Sequence, residues 1–249
     1  MKKNGFSLVT ILIVIVVVVI VAAVCYPIFL KSKDKEKEAT CLANMKKIAD
    51  AFLAYTADYN ETLPVAPLGE GLMLPTFGEL YCGHSVPTSS NLVNAKVASI
   101  RAQLEPYTKN KEVFICPSDE DVSLEYEVNK RFTSYHYRFF IGAKTTDSEY
   151  PGPWTKSMIM FPARVFVFND FLPFHQGKKA PDAKVGDDML WQWTSDSKFN
   201  MVFVDGHVSI HPASHSMAWN EGNKRFDYHW PRMSEQPPWT STKKLWDLD

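Results

Sequence analysis

FSLVTILIVIVVVVIVAAVCYPIFL, residues Phe6–Leu30, decides how the rest of this chain is read. These 25 residues carry no charge, and Ser7 and Thr10 are the only clearly polar ones. As a helix the run reaches roughly 38 Å, enough to cross a bilayer core. A secretory signal peptide has a shorter apolar stretch, roughly 7–15 residues, ahead of a small-x-small cut site. A lipoprotein signal at Ala22-Ala23-Val24-Cys25 would need a small residue where Val24 stands. A plain signal anchor fits the length and stays open.

Beyond Lys31 the composition is that of an ordinary soluble protein. Lys+Arg 27 against Asp+Glu 28 gives a formal net charge of −1, so the chain as a whole has no drive toward nucleic acid or anionic lipid. Aromatics at 13% and 16 prolines exclude a disordered, coiled-coil-only or collagenous chain. A length of 249 residues fits one medium domain with an appendage.

The apolar run starts abruptly after the short basic leader Met1-Lys2-Lys3-Asn4-Gly5, continues Phe6-Ser7-Leu8, and has Pro27 near its far end. In these residues the chain resembles the type IV pilin and pseudopilin family. The resemblance implies cleavage by a prepilin peptidase between Gly5 and Phe6 and methylation of the new Phe6 amine. It also implies an inner-membrane helix that later enters a helix-cored filament, with Thr10 and Pro27 as positions that bear on assembly. The family usually has Glu four residues after the cleavage-site Phe, where this chain has Thr10. Family members without that Glu are often minor subunits at a filament tip, so the resemblance points to a tip role. Lys2 and Lys3 precede the run while Lys31, Lys33, Lys35 and Lys37 follow it, so lysine counts alone do not set the orientation. A periplasmic C-terminal domain is implied by the resemblance.

After the charged stretch a helical stripe resumes at Cys41/Leu42, Met45, Ile48/Ala49, Phe52, Tyr55 and Tyr59, with Lys46, Lys47, Asp50 and Asp58 off it. One long helix is expected from Phe6 to about Asp58, interrupted only at Pro27 and ended by Asn60 and Pro64. The spacing Cys41-Leu42-x-Asn44-Met45-Lys46-x-Ile48, then Tyr55-x-x-Asp58 and Leu63-Pro64, is similar to a pseudopilin group known for a processing-associated His-x9-Asp-Gly motif. Cys116-Pro117-Ser118-Asp119 and Asn200-x-x-Phe203-x-Asp205-Gly206-His207-Val208 match further islands of that group. Ser195 stands where its name-giving His would be.

The expected fold is therefore α+β and pilin-like: a leader at 1–5, a membrane and assembly helix at 6–30, its amphipathic continuation at 31–60, and a globular domain at 61–249 with an antiparallel sheet. Val93, Val97, Ile100 and Leu104 suggest a second helix closed by Pro106. Strands are expected at Val113–Cys116, Ser134–Ile141, Ser157–Phe161 and Arg164–Phe168. Asp205-Gly206 between alternating β-formers predicts a hairpin with a type I′ turn, which makes Asp205 a turn residue and not a catalytic acid. Residues 212–249, with four tryptophans, read as an irregular tail, and the loops around 62–92 and 143–156 as surface insertions.

Four cysteines are present. Cys25 lies in the apolar run, and Cys41, Cys82 and Cys116 allow three pairings in an oxidising compartment. The resemblance favours Cys41–Cys116, because both stand in family-like segments, and free buried thiols remain the other reading. His207, His211 and His215 are evenly spaced but lack a second carboxylate or a Cys at tight ligand spacing, so no metal is expected there. Asp119, Glu120 and Asp121 lack the alternation and turn Gly of a calcium loop. No phosphate-cradling loop, Gly-x-Ser-x-Gly or His-Glu-x-x-His occurs. The expectation is a structural subunit, not an enzyme, without a cofactor. Its partners would be other pilin or pseudopilin subunits, prepilin peptidase, the inner-membrane assembly platform and the bilayer, with no nucleic acid. A signal-anchored periplasmic ligand-binding domain is the alternative.

Overall fold

The computed structural model describes residues 8–64, 66–67, 99–125, 127–137, 143–144, 155–159, 161–177, 193–194, 196–212, 219–220 and 225–226. Gly5, Phe6, Cys82, Ser195, His215, residues 93–98 and most of the two expected loop insertions lie outside them. The chain divides into two units, residues 1–39 and 40–249.

Helix α1 spans Leu8–Asp58 without a break. Pro27 sits inside it, so the expected interruption there does not occur. The cost is local: Pro27 brings no N–H for the carbonyl of Ala23. In the first unit the large apolar side chains of α1 are exposed, from 46% at Leu30 to 82% at Leu8. This segment is long and apolar enough to cross a membrane.

In the second unit the amphipathic stripe meets the core. Cys41, Met45, Ile48, Ala49, Ala51, Phe52 and Tyr55 are buried, while Leu42 and Tyr59 at its margins are exposed. Tyr59 stacks on Tyr55, ring centroids 4.3 Å apart. The helix ends in a left-handed cap: Asn60 has φ 51, and the Glu61 N–H donates back to Thr56 O at 2.7 Å. Asn tolerates the left-handed region better than most residues, which is why the chain can reverse here, and Pro64 follows.

Strand β1 (Ala66–Pro67) precedes helix α2, Ile100–Thr108. Ser99 caps α2 by accepting the Ala102 N–H at 3.2 Å. Pro106 lies within α2 and does not close it; the helix continues to Thr108 and ends where Lys109 turns left-handed at φ 53. Three strand expectations are corrected. Val113–Cys116 begins as a 3-10 turn, Lys111–Phe114, because the Asn110 side chain accepts the Glu112 N–H and starts a tight turn that the β-formers then leave as extended chain. Ser157–Phe161 holds the 3-10 turn Lys156–Met158 instead of a strand. The strand expected at Arg164–Phe168 starts two residues later, since the Arg164 N–H closes a turn onto Phe161 O.

The remaining strands are β2 (Tyr135–Tyr137), β3 (Ala143–Lys144), β4 (Phe166–Asp170), β5 (Lys198–Phe203), β6 (Val208–Pro212), β7 (Trp219–Asn220) and β8 (Arg225–Phe226). β2, β4, β5 and β6 form an antiparallel sheet in that order. β1 pairs with β3 in parallel, and β7 with β8 as a separate two-stranded ribbon within the expected tail. Phe52 of α1 meets Phe168 of β4 edge-on at 6.1 Å, and Phe168 in turn packs on Tyr137 of β2 at 4.9 Å. β5 is buried at every position from Phe199 to Phe203, so both faces of the sheet centre are covered. The architecture is α+β, a long N-terminal apolar helix with a four-stranded antiparallel sheet.

Candidate functional site: the junction of α1 and the sheet

Residues far apart in sequence meet where α1 crosses the sheet. Cys41 and Cys116 are joined by a disulfide, Cα atoms 5.3 Å apart, closing a separation of 75 residues. Both are fully buried. Cys25 is exposed and free. One helical turn after Cys41, Asn44 donates from Nδ2 to Ile115 O at 3.0 Å, so the 115–116 segment is tied to α1 twice.

The same segment is tied to the sheet. Ser134 Oγ accepts the Cys116 N–H at 2.9 Å, and the Ser134 N–H donates to Phe114 O at 2.8 Å. Cys116-Pro117-Ser118-Asp119 is a β-turn closed by the Asp119 N–H on Cys116 O at 2.9 Å, with Pro117 at the position whose φ it pre-sets. The turn delivers Asp119 into a buried ion pair with Arg131, 2.6 Å from Nη2. Arg131 also lies over the Phe171 ring at 4.0 Å. Lys130 donates to Glu120 O at 3.1 Å and lies 3.9 Å from Asp121 Oδ1, so the charges facing this acidic run are Arg131 and Lys130.

The hairpin expected at Asp205-Gly206 is present between β5 and β6, but its turn is not type I′. A type I′ turn needs positive φ at both central residues, and in this loop only Gly206 has it, at φ 88. The loop is three residues long, Val204-Asp205-Gly206, with the Gly206 N–H on Phe203 O at 2.8 Å and the Phe203 N–H on His207 O at 3.0 Å. This is the type I turn followed by a left-handed Gly bulge. Asp205 stays in the turn by accepting the His207 N–H at 3.1 Å. Lys46 of α1 donates to Gly206 O at 3.2 Å and pairs with Asp50 at 3.0 Å, which seats the hairpin tip on the helix. His207 stacks on Phe203 at 4.1 Å with Nδ1 2.6 Å from Asp205 Oδ1, and His211 meets the same ring at 5.4 Å. Asn200 spans β5 and β4: its N–H and Nδ2 both donate to buried Asp170 Oδ2, at 3.0 and 2.8 Å.

Thus Cys41, Asn44, Lys46, Cys116, Asp119, Asn200 and Gly206 act as ties between elements. Thr10 and Pro27 lie in α1 in the other unit, and the Thr10 side chain is outside the described residues. Sequence reasoning missed three participants. His175 Nε2 lies 3.2 Å from Cys116 Sγ. Fully buried Arg101 of α2 donates to Ser123 O at 3.2 Å and Phe132 O at 3.0 Å, organising the loop ahead of β2. Tyr135 is buried beside Asp170, and burial followed by that carboxylate's charge pushes its phenol far above the ordinary value. None carries a local signal, because each contact is made only after the chain has folded. Among the described residues, Cys41, Cys116 and His175 are the group whose His, Cys, Asp or Glu ligand atoms lie close enough to share one ion.

No family model, no curated protein and no solved structure matches this chain.

Proposed function

We propose that this chain is a pilin-like structural subunit of a type II secretion or type IV pilus-type machine. Residues 6–30 hold it in the inner membrane with the C-terminal domain in the periplasm, and then join the helical core of a filament, with a cell-surface filament as one destination. The observation that carries this reading is the division of labour along α1. Its first half exposes an unbroken apolar surface, whereas the apolar face of its second half, from Cys41 to Tyr55, is buried in the core and covalently tied to the 115–116 segment. An isolated apolar helix needs lipid or other helices around it, and a subunit that moves from one to the other uses both. The disulfide fits an exported, oxidising location for residues 40–249. The motif islands at Cys41–Ile48, Cys116–Asp119 and Asn200–His207 serve as ties between elements of the subunit, which supports a load-bearing role.

Intact-mass measurement of protein purified from membranes tests the reading. The expected mature chain begins at N-methylated Phe6. A mature chain that keeps Met1–Gly5 supports the signal-anchored alternative and rejects the filament subunit. Gly5→Val should block processing, because a peptidase must approach the backbone there and a branched side chain obstructs it.

A further inference from the structure

His175 stands against a bond that does not need it. Its Nε2 is 3.2 Å from Cys116 Sγ, and the ligand atoms of Cys41, Cys116 and His175 all lie within 4.8 Å of one another. A disulfide sulfur is only a weak acceptor, so an imidazole adds little to the oxidised pair. In the dithiol form the same trio has a different chemistry. Every chain carries its cysteines as thiols before oxidation, and a reducing compartment keeps them so. Two buried thiols and an imidazole converging on one point are a three-ligand set for a tetrahedral thiophilic cation, with one position left for water.

We infer that the reduced chain binds a zinc-type divalent cation through Cys41 Sγ, Cys116 Sγ and His175 Nε2. Metal and disulfide are then alternative ties between α1 and the 115–116 segment. Around a tetrahedral zinc ion the two sulfurs stand about 3.8 Å apart, given Zn–S bonds of about 2.3 Å. The Cα atoms are 5.3 Å apart, and rotation of each cysteine side chain about Cα–Cβ is the motion that would open the sulfurs to that spacing. The backbone is held independently by Asn44 on Ile115 and by Ser134 on Cys116, and neither hydrogen bond uses a sulfur. Both cysteines are fully buried while His175 is half-buried, so the cation enters from the His175 side. Binding exchanges no electrons. The two S–H bonds lose their protons to solvent, and two metal–sulfur bonds form in their place.

The test uses the full chain in detergent, in a Cys25→Ser, Cys82→Ser background so that only this pair supplies sulfur. The protein is reduced, freed of reductant under argon and titrated with Co(II). The expected result is a thiolate-to-cobalt charge-transfer band that saturates at one equivalent and is bleached by Zn(II). Fully oxidised protein should show no such band. His175→Asn should still form the disulfide on oxidation, yet in the reduced state its Co(II) midpoint should rise by about tenfold or more. Cys41→Ser with Cys116→Ser should lose the charge-transfer band. The inference is overturned by a folded reduced chain without the band, by an unchanged midpoint in His175→Asn, or by equal binding to the oxidised chain. It is equally overturned if reduction unfolds the chain and Co(II) does not restore it.

Discussion

Gly206 shows how much one position can carry. It sits at φ 88, and a Cβ there would fall 2.4 Å from Leu53 Cδ1 on α1. Gly206→Ala combines left-handed strain with a collision against the helix on which the hairpin rests, and should cost about 1–3 kcal/mol in urea unfolding. The flexible end of Leu53 can shift, which places the expected loss in the lower part of that range. Tyr107 offers a pH signature. Its partial burial, and then Asp58 Oδ2 accepting its hydroxyl hydrogen at 3.0 Å, push the phenol up to about 12 from its ordinary value of 10.0. The folded chain therefore holds this proton more tightly than the unfolded chain does. The resulting stability is fully present below pH 10 and is lost as the pH climbs toward about 12. Thermal unfolding across that window should fall less steeply for Tyr107→Phe than for the unchanged protein.

At the scale of elements, the ties converge on the contact between the second half of α1 and the sheet. The Cys41–Cys116 bond closes a separation of 75 residues, for which loop-closure arithmetic gives about 4 kcal/mol. Cys41→Ser with Cys116→Ser should lower stability by about that amount in guanidinium unfolding. Asn44 on Ile115 and Lys46 on Gly206 should leave the element order intact, so far-UV circular dichroism in water should change little. Single replacements are poorer probes, because each strands an unpaired thiol in the core. Phe52→Ala attacks the same contact without touching the bond. Removing a fully buried ring packed edge-on to Phe168 should cost about 3–5 kcal/mol.

For the whole molecule, the proposed filament role makes a demand on α1, whose first half would have to pass from lipid into a core of neighbouring helices. On the proposed pilin-like reading, a Glu in place of Thr10 would neutralise the neighbouring subunit's N-terminal amine inside the filament core. Thr10 brings no charge, and an uncompensated ammonium in a low-dielectric core is costly. A subunit at the tip has no subunit ahead of it to register against and tolerates that loss best. The unchanged protein should therefore appear in few copies per filament, counted by quantitative immunolabelling of sheared material. Thr10→Glu should raise the count or disturb initiation, and Thr10→Val should change little. Dense labelling along the shaft by the unchanged protein would exclude a tip role.

Sequence alone determined what depends on local chemistry and period. The uncharged run from Phe6 to Leu30 dictates a helix that water cannot cover, and the stripe from Cys41 to Tyr55 dictates which face of its continuation is buried. Asn60 and Pro64 mark its end, and Asp205-Gly206 marks a hairpin, because turns are written in a few adjacent residues. Where local cues competed, the folded chain chose. Pro27 and Pro106 both read as breaks, yet α1 and α2 continue through them, since a helix loses only one hydrogen bond and some clearance at a proline. The β-formers of Val113–Cys116 yielded to the Asn110 cap and to the demand that Cys116 reach Cys41. The hairpin took a three-residue loop because Gly206 had to fit beneath Lys46 and against Leu53, a constraint set by a helix about 150 residues away. Only tertiary structure could bring His175 to the cysteines, Arg131 to Asp119 and Asn200 to Asp170, because a contact between distant segments leaves no period or spacing in the chain that makes it.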